Sequence, residues 1–321
     1  MENFVGVNPV EDHIRKGVAL LEPIRSRWLI FYGVAWLVGA IAVGANFAAS
    51  TVAKESPGVF WTVLVVSGIS TLVAIGISSS QGSILHDEFN QWRSEGVKLL
   101  DRSATFSSSS GIDKSDFDES GLNSAYYNRY SSWNSLEVGG IRSSALSVKH
   151  IYTEKYTETE SYTDSNGERK TREVTKEREV VVPIFDGLML IMPAKLPHES
   201  TVMLRHRDAG VPKGLHRLTV ASPFLAKHYA VGASEPFAGH RALTPTLMES
   251  LWDYDQQFEY TTGYSYKSGL LYIKIPKYWL SFGDLPGKWT AVTTDKLDRV
   301  LNACGTSIAF LKSTATKLVP T

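Results

Sequence analysis

WLIFYGVAWLVGAIAVGANFAAS (Trp28–Ser50) and GVFWTVLVVSGISTLVAIGISSS (Gly58–Ser80) are two long uncharged stretches, and they decide the fold. A helix of about 20 apolar residues is long enough to cross a bilayer. The linker between the stretches, TVAKESP, allows only a tight turn, so the two helices are expected to pack antiparallel. The sequence therefore predicts a transmembrane hairpin of two helices that carries a soluble region.

The two predicted spans contain no Asp, Glu, Lys or Arg. Charged side chains inside a membrane usually mark ion or substrate pathways, so this pattern counts against transport. Small residues recur along both helices, and small faces let helix backbones approach closely in lipid. The glycines expected to pack between the two helices are Gly33, Gly39, Gly68 and Gly76.

Basic residues around the spans predict the orientation, because Lys and Arg are enriched on the cytoplasmic side. The residues that flank the spans are Arg15, Lys16, Arg25, Arg27, Arg93, Lys98 and Arg102. The connecting loop contains Lys54 alone, beside Glu55. Both termini and the main domain are therefore expected in the cytoplasm. A cleaved signal peptide is the rival interpretation, and the long polar leader argues against it.

Composition excludes several classes of protein. The chain has 321 residues and a formal net charge of zero, so no overall field attracts nucleic acid, and no nucleic-acid partner is predicted. Its single cysteine, Cys304, excludes an internal disulfide and a four-cysteine zinc site. Cys304 belongs to the apolar stripe of an amphipathic helix predicted near Thr294–Lys312, so we expect it to be a buried packing residue.

Four regions are predicted along the chain. Residues 1–27 form an amphipathic leader helix that lies on the membrane surface or packs on the soluble domain. Residues 28–80 form the transmembrane hairpin, and residues 81–134 form a juxtamembrane helix and a flexible Ser-rich linker. Residues 135–321 form a cytoplasmic α+β domain with a mostly antiparallel sheet and packed helices.

A long β-hairpin is predicted over Tyr152–Glu179, with Asp164–Gly167 as its turn. Its arms are charged on both faces, so the tip is expected to project into solvent. Lys and Glu along the arms protect a free strand edge from aggregation. The hairpin is either a docking arm or a solvated loop. The apolar run Phe185–Pro193, which follows it, is typical of a buried strand.

Polar clusters give one candidate site. Arg205, His206, Arg207, Lys213, His216 and Arg217 lie on two predicted strand ends joined by AGVPKG. Guanidinium groups pair bidentately with phosphate, so this basic cluster suits phosphate or an anionic lipid headgroup. The alternative is a solvated basic hairpin.

Other titratable residues do not form a recognisable site. The sequence contains no Walker A loop, HExxH, GxSxG or EF-hand motif, and no catalytic residue or cofactor is predicted. His198 and His206 match no standard ligand spacing, so no metal site is predicted either. Asp253 and Asp255 flank Tyr254 either as paired carboxylates for acid–base work or, as we expect, as a solvated helix end.

Three segments between Gly140 and Pro276 resemble a known group of bacterial membrane proteins. They are VGGIRSSALSVKHI, IFDGLMLIMPAKLPHESTVML and HRLTVASPFLAKHYAVGASEPFAGHRALTPTLMESL, which contains Leu-Thr-Pro-x-Leu-Met-Glu from Leu243 to Glu249. In these segments the chain is similar to the family called domain of unknown function 3137. The resemblance implies a cytoplasmic α+β domain on a hairpin in the bacterial plasma (inner) membrane. It also implies genomic company with LemA-like proteins, and it implies no catalytic residue.

Three functions are compatible with these features. The leading hypothesis is a non-enzymatic, membrane-anchored interaction or scaffold module, because no catalytic constellation is present. Its partners would be the lipid bilayer and a membrane protein, a second copy of the chain, or a LemA-like protein. The first alternative is a membrane-face enzyme or a binder of phosphate or anionic lipid headgroups. The second is a subunit of an oligomeric channel or transporter.

Overall fold

The computed structural model describes residues 8–52, 57–163, 165, 167–194, 200–283 and 290–319. The chain divides into two compact units. Unit 1 comprises Met1–Thr105 and Ser281–Ile308, and unit 2 comprises Phe106–Leu280 and Ala309–Thr321. The fold is α+β with an antiparallel sheet and a long apolar helix near the N-terminus, which confirms the predicted fold class at this level.

Helices and strands alternate irregularly along the chain. The α-helices are α1 Pro9–Val52, α2 Pro57–Leu100, α3 Lys114–Glu119, α4 Pro223–His228, α5 Pro236–Ala242, α6 Pro245–Asp255 and α7 Thr294–Leu318. The strands are β1 Ala104–Ser107, β2 Arg129–Val138, β3 Ile141–Thr163, β4 Arg169–Pro193, β5 Val202–His206, β6 His216–Arg217, β7 Tyr229–Ala233, β8 Gly263–Lys267 and β9 Leu270–Pro276. They join in the order β1-β2-β3-β4-β9-β8-β5-β7-β6. Every neighbouring pair in this order, from β2–β3 through to β7–β6, is antiparallel.

Helix α1 contains both the predicted leader and the first predicted span. Asn8 caps it, since its side-chain oxygen accepts a hydrogen bond from Val10 N at 3.1 Å. The helix then continues without a break from Pro9 to Val52 and includes Pro23. The prediction of a separate leader helix that ends before Trp28 is therefore wrong. No glycine cap interrupts the chain there, so the helical hydrogen bonds continue.

The start of α1 packs against the end of α2, so the two helices run in opposite directions. The rings of His13 and Trp92 stack with their centroids 5.0 Å apart. Trp92 Nε1 donates to His13 O at 3.1 Å, and His13 Nε2 lies 2.9 Å from Trp92 O. We call this end the base; it comprises residues 9–28 of α1, residues 85–97 of α2 and the part of α7 that belongs to unit 1.

Two glycines allow this close packing at the base. A Cβ on Gly17 would lie 2.3 Å from Trp92 Nε1, and one on Gly96 would lie 2.5 Å from Leu301 Cδ2. The stripe predicted on α7 packs into the same base and continues into unit 2. Its buried members are Leu297, Val300, Leu301, Cys304, Ile308 and Leu311. The amphipathic pattern of α7 is therefore confirmed.

The segment after α2 is not the flexible linker that the Ser-rich composition predicted. It forms β1 and α3, and Ile112, Phe117 and Leu122 are buried in the core of unit 2. Three well-spaced apolar side chains are enough to fix this short segment on one face of the sheet. Tyr127 and Tyr130, which follow this segment, pack on the same core.

The predicted β-hairpin is confirmed in unit 2, and side-chain caps begin two of its helices. β3 and β4 pair without interruption out to Thr163 opposite Arg169, while Asp164 and Asn166 of the predicted turn lie outside the described residues. Ser222 accepts a hydrogen bond from Leu225 N at 3.4 Å at the start of α4. Thr244 does the same for Leu247 N at 3.2 Å at the start of α6.

Candidate functional site

The six residues of the predicted basic cluster lie on β5, on β6 and in the segment between these strands. β7 lies between β5 and β6 and pairs with both, so the predicted direct hairpin of these two strands is wrong. A Cβ on Gly232 of β7 would lie 2.6 Å from Val211 Cγ1 and 3.2 Å from Leu215 Cβ. Val211 and Leu215 of the loop from β5 to β6 therefore pack over Gly232 of β7.

Most of the predicted cluster is solvated. His206, Arg207 and Arg217 are exposed, and Nδ1 of His206 accepts a hydrogen bond from Asp208 N at 3.3 Å. Lys213 and His216 lie in the loop and in the two-residue strand β6. Binding of an anion by the six residues together stays a prediction.

Arg205 is the exception, because it is buried beside Lys274 of β9. Gly263 of β8 lies opposite Lys274, and the pairing of Leu204 with Tyr264 brings Arg205 level with the same glycine. No side chain therefore stands between the two cations. Burial and the charge of Arg205 lower the pKa of Lys274 from its ordinary 10.5 to about 8. Burial also lowers the pKa of Arg205.

The cations of this pair hold the segment between α3 and β2 on the sheet. Arg205 Nη2 donates to Ser124 Oγ at 2.8 Å, and Lys274 Nζ donates to Leu122 O at 3.5 Å. Within the described part of the chain, the ion pairs do not include either cation. Sequence reasoning missed Lys274, although a single lysine inside the apolar strand sequence GLLYIKIP is a usable signal.

Asp255 does not lie at a solvated helix end, as was predicted, because it is 7% exposed. Its carboxylate is buried and accepts a hydrogen bond from Thr262 N at 2.8 Å. Burial, together with the charges of Tyr264 and Asp255, raises the pKa of Tyr229. The hydrogen bond from Thr262 N to Asp255 ties the end of α6 to the residue that precedes β8.

Neither metal nor thiol chemistry has support in the described residues. They contain no group of three or more His, Cys, Asp and Glu side chains arranged to hold a metal ion, and His198 lies outside them. Cys304 is buried, and burial raises the pKa of its thiol to about 11. Its Sγ lies 3.7 Å from Phe282 O, which confirms a packing role.

The helices of unit 1 expose a large apolar surface beyond the base. We call residues 29–43 of α1 and 65–76 of α2 the apolar half. Its exposed side chains include Ile30, Val34, Trp36, Leu37, Ile41, Val43, Val65, Val66, Ile69, Leu72, Val73 and Ile75. Among the described residues, Pro9–Ile41 is long and apolar enough to cross a membrane, and most of its apolar window is exposed. A core helix or a signal sequence passes the same test of length and composition.

Two further predictions about the helices concern the packing glycines and the basic residues that flank the spans. A Cβ added to Gly33, Gly39, Gly68 or Gly76 would meet no described atom within 4 Å, so packing through these glycines stays a prediction. Two of the flanking charges, Arg25 and Arg93, are buried. Arg25 pairs with Glu22, and Arg93 donates to Gly283 O at 3.1 Å. The exposed flanking charges are Arg15, Lys16, Arg27, Lys98 and Arg102.

The distal hairpin is a second exposed surface. We call residues 152–163 of β3 and 169–182 of β4 the ribbon. One of its faces combines tyrosines with cross-strand ion pairs, such as Arg178 to Glu154 at 2.8 Å and Lys176 to Glu160 at 2.7 Å. The guanidinium of Arg178 also lies 5.5 Å from the ring centre of Tyr156. These contacts hold two otherwise isolated strands together.

Comparisons with family models, curated proteins and solved structures found no match to this chain. The resemblance to domain of unknown function 3137 therefore stays a prediction that rests on the quoted motifs. The assignment of function depends on three features described above: the apolar half on two helices, the exposed ribbon, and the adjacent cations Arg205 and Lys274.

Proposed function

We propose that this protein is a membrane-anchored interaction module that presents unit 2 to a protein partner. The observation that carries the proposal is the apolar half, where large apolar side chains are exposed on α1 and α2 together. A contiguous exposed patch of this kind marks contact with lipid or with another protein. Lipid accounts for it best, since the apolar half contains no charged residue.

In this proposal α1 and α2 both cross the bilayer, and the second span is Gly58–Ser80. The exposed basic residues at the base, such as Arg27 and Lys98, then lie on the cytoplasmic side. The protein resides in the bacterial plasma membrane, with both termini and the main domain in the cytoplasm. A LemA-like protein is one candidate partner, by the family resemblance alone.

Alkaline carbonate washing of membranes that contain the full chain tests the anchor. We expect the wild-type chain to stay in the pellet. Leu37→Arg combined with Leu72→Arg should release it, because each central charge costs about 3 kcal/mol of insertion free energy. Leu20→Arg, on an exposed site of the base, is the matched control and should stay in the pellet. Complete release of the wild-type chain would overturn the proposal.

Protease accessibility tests the orientation. Trypsin added to inverted membrane vesicles should cut unit 2, whereas trypsin added outside intact spheroplasts should leave it whole. The opposite pattern would place unit 2 outside the cytoplasm and would reject this part of the proposal while leaving the anchor intact.

Anion binding is a second candidate function, and one observation favours it. Arg205 and Lys274 are adjacent cations that form no ion pair with a carboxylate of the described residues. A phosphate group would supply the missing negative charge. Inorganic phosphate should then raise the melting temperature of the wild-type chain more than an equal ionic strength of chloride does. Lys274→Met should abolish the difference, and an equal response in both proteins would reject this candidate.

A further inference from the structure

The ribbon has two free edges along most of its length. β2 pairs with β3 no further than Lys149, and β9 pairs with β4 no nearer the tip than Gly187. Between these limits and the turn, each arm of the ribbon pairs with the other arm alone in the described structure. The outer backbone groups of both arms are thus available to another strand.

The alternation of hydrogen bonds shows which backbone groups point outward. The side chain of Asn128 accepts from Ile151 N at 2.9 Å and donates to Ile151 O at 2.7 Å, on the side away from β4. In an antiparallel pair the backbone N–H and C=O of every second residue point away from the partner strand. Beyond Ile151, the backbone groups that point outward from β3 are therefore those of odd-numbered residues. Their partners, from Val181 to Arg169, are also odd-numbered and point outward from β4.

The two arms carry opposite charge. Residues 152–163 contain three glutamates and one lysine, for a net charge of −2. Residues 169–182 contain five basic residues and three glutamates, for a net charge of +2. The β3 edge is therefore acidic and the β4 edge is basic. Charged edges keep out unrelated strands, but these two edges are complementary to each other.

We propose that a second copy of this chain binds the ribbon edge to edge, with the β3 arm of one copy antiparallel to the β4 arm of the next. This inference rests on the proposed interaction function and names its partner. Glutamates of β3 then lie between two basic strands, one from each copy. Because both outward sets are odd-numbered, the tyrosine face continues across the junction.

Charge decides between this arrangement and a two-fold dimer. A two-fold contact would pair two acidic β3 edges or two basic β4 edges, which opposes like charges. The complementary contact is head-to-tail, so each copy uses two different edges. Such contacts close into a ring or continue from copy to copy. The oligomer is therefore expected to contain more than two chains.

A charge-swapped ribbon tests the pairing by self-sorting. The swapped chain combines Glu154→Lys, Glu158→Lys and Glu160→Lys with Arg172→Glu, Lys176→Glu and Arg178→Glu, so the ion pairs within the ribbon are kept in reverse. Two differently tagged full-length chains are co-expressed and purified in mild detergent. Wild type should recover wild type, and swapped should recover swapped. Mixed complexes should be at least about tenfold rarer, because their edges repel. Free mixing would overturn the proposal.

Backbone contact is tested with single substitutions at the edges. Thr159→Pro and Thr175→Pro each remove an outward N–H, whereas Thr159→Val and Thr175→Val keep it and preserve strand preference. We expect each proline variant to reduce the oligomer to single chains, and each valine variant to match wild type in light scattering. An oligomer that survives both proline changes would refute the ribbon contact. A wild-type chain that resists carbonate washing yet is monomeric would refute this inference and leave the membrane anchor standing.

Discussion

The base and the apolar half of helices α1 and α2 contain the same kinds of residue in opposite surroundings. Trp92 in the base is 3% exposed and Trp36 in the apolar half is 66% exposed. Gly17 has the Trp92 indole within 2.3 Å of its Cβ position, whereas Gly39 has no described atom within 4 Å. Residue type alone therefore does not decide which part of a long apolar helix packs on protein. The neighbours do, because α7 covers the base.

The largest expected difference is in the free energy of unfolding, between substitution of Trp92 in the base and of Trp36 in the apolar half. Trp92→Ala should lower the free energy of unfolding by about 3–5 kcal/mol, because it leaves a cavity and removes the hydrogen bond to His13 O. Trp36→Ala is the matched control and should leave the thermal unfolding of unit 1 in detergent unchanged. Equal losses in the two variants would show that the apolar half is also packed on protein.

Two lysines of unit 2 differ in their electrostatic surroundings. Lys274 is half-buried beside Arg205 and has a pKa near 8, whereas Lys176 is half-exposed and forms ion pairs with Glu158 and Glu160. Below about pH 8 Lys274 is charged in both states, and the folded state bears the cost of burying that charge. Between about pH 8 and 10.5 the unfolded chain holds the proton and the folded chain does not, so stability rises with pH.

Lys274→Met should therefore stabilise unit 2 at pH 7, by at most about 3 kcal/mol, and should flatten this rise. Lys176→Met should leave the profile between pH 7 and pH 10.5 unchanged, because the ion pairs with Glu160 and Glu158 raise the pKa of Lys176 and keep it charged there. Chemical unfolding monitored at several pH values measures both. A wild-type profile that is flat from pH 8 to pH 10.5 would contradict the lowered pKa of Lys274.

A smaller difference in stability is expected between substitutions of Gly17 in the base and of Gly39 in the apolar half. Gly17→Ala should destabilise unit 1 by about 1–3 kcal/mol, because its methyl group overlaps the Trp92 indole. Gly39→Ala should be neutral or stabilise by up to about 1 kcal/mol, since alanine favours helix and the site is open. Gly39→Leu separates the two interpretations of this glycine. Weaker association of the helices would support the sequence-based packing prediction, and no change would reject it.

The last prediction concerns the rate at which Cys304 is labelled by a thiol reagent, and it involves no change in stability. Cys304 at the base should react slowly with a maleimide up to pH 9, because burial blocks access and holds the thiol protonated. In a Cys304→Ala background, Asn302→Cys places a thiol on the exposed side of the same helix and should react rapidly. Rapid labelling of Cys304 in the folded chain would show that α7 does not close the base.

Several features were predictable because they depend on local pattern. The apolar stripe of α7, the Ser222 and Thr244 caps and the β3–β4 pairing each need only nearby residues to be recognised. The positions of Arg205 and Lys274 were not predictable, because sheet order brings them together across β8. The prediction of a flexible linker in the Ser-rich segment was wrong for a related reason. Its composition is that of a linker, yet Phe117 finds a place in a core formed by distant strands.

The sequence by itself determined the long apolar helix, the α+β class and the charged, alternating arms of the ribbon. Hydrophobic period and charge pattern are properties of neighbouring residues, so they can be read directly from the sequence. The tertiary structure alone decided which half of α1 is buried, which basic residues meet, and that the ribbon leaves the sheet with one acidic and one basic free edge. Those outcomes depend on strand order and helix contacts between residues far apart in the chain, which local pattern does not encode.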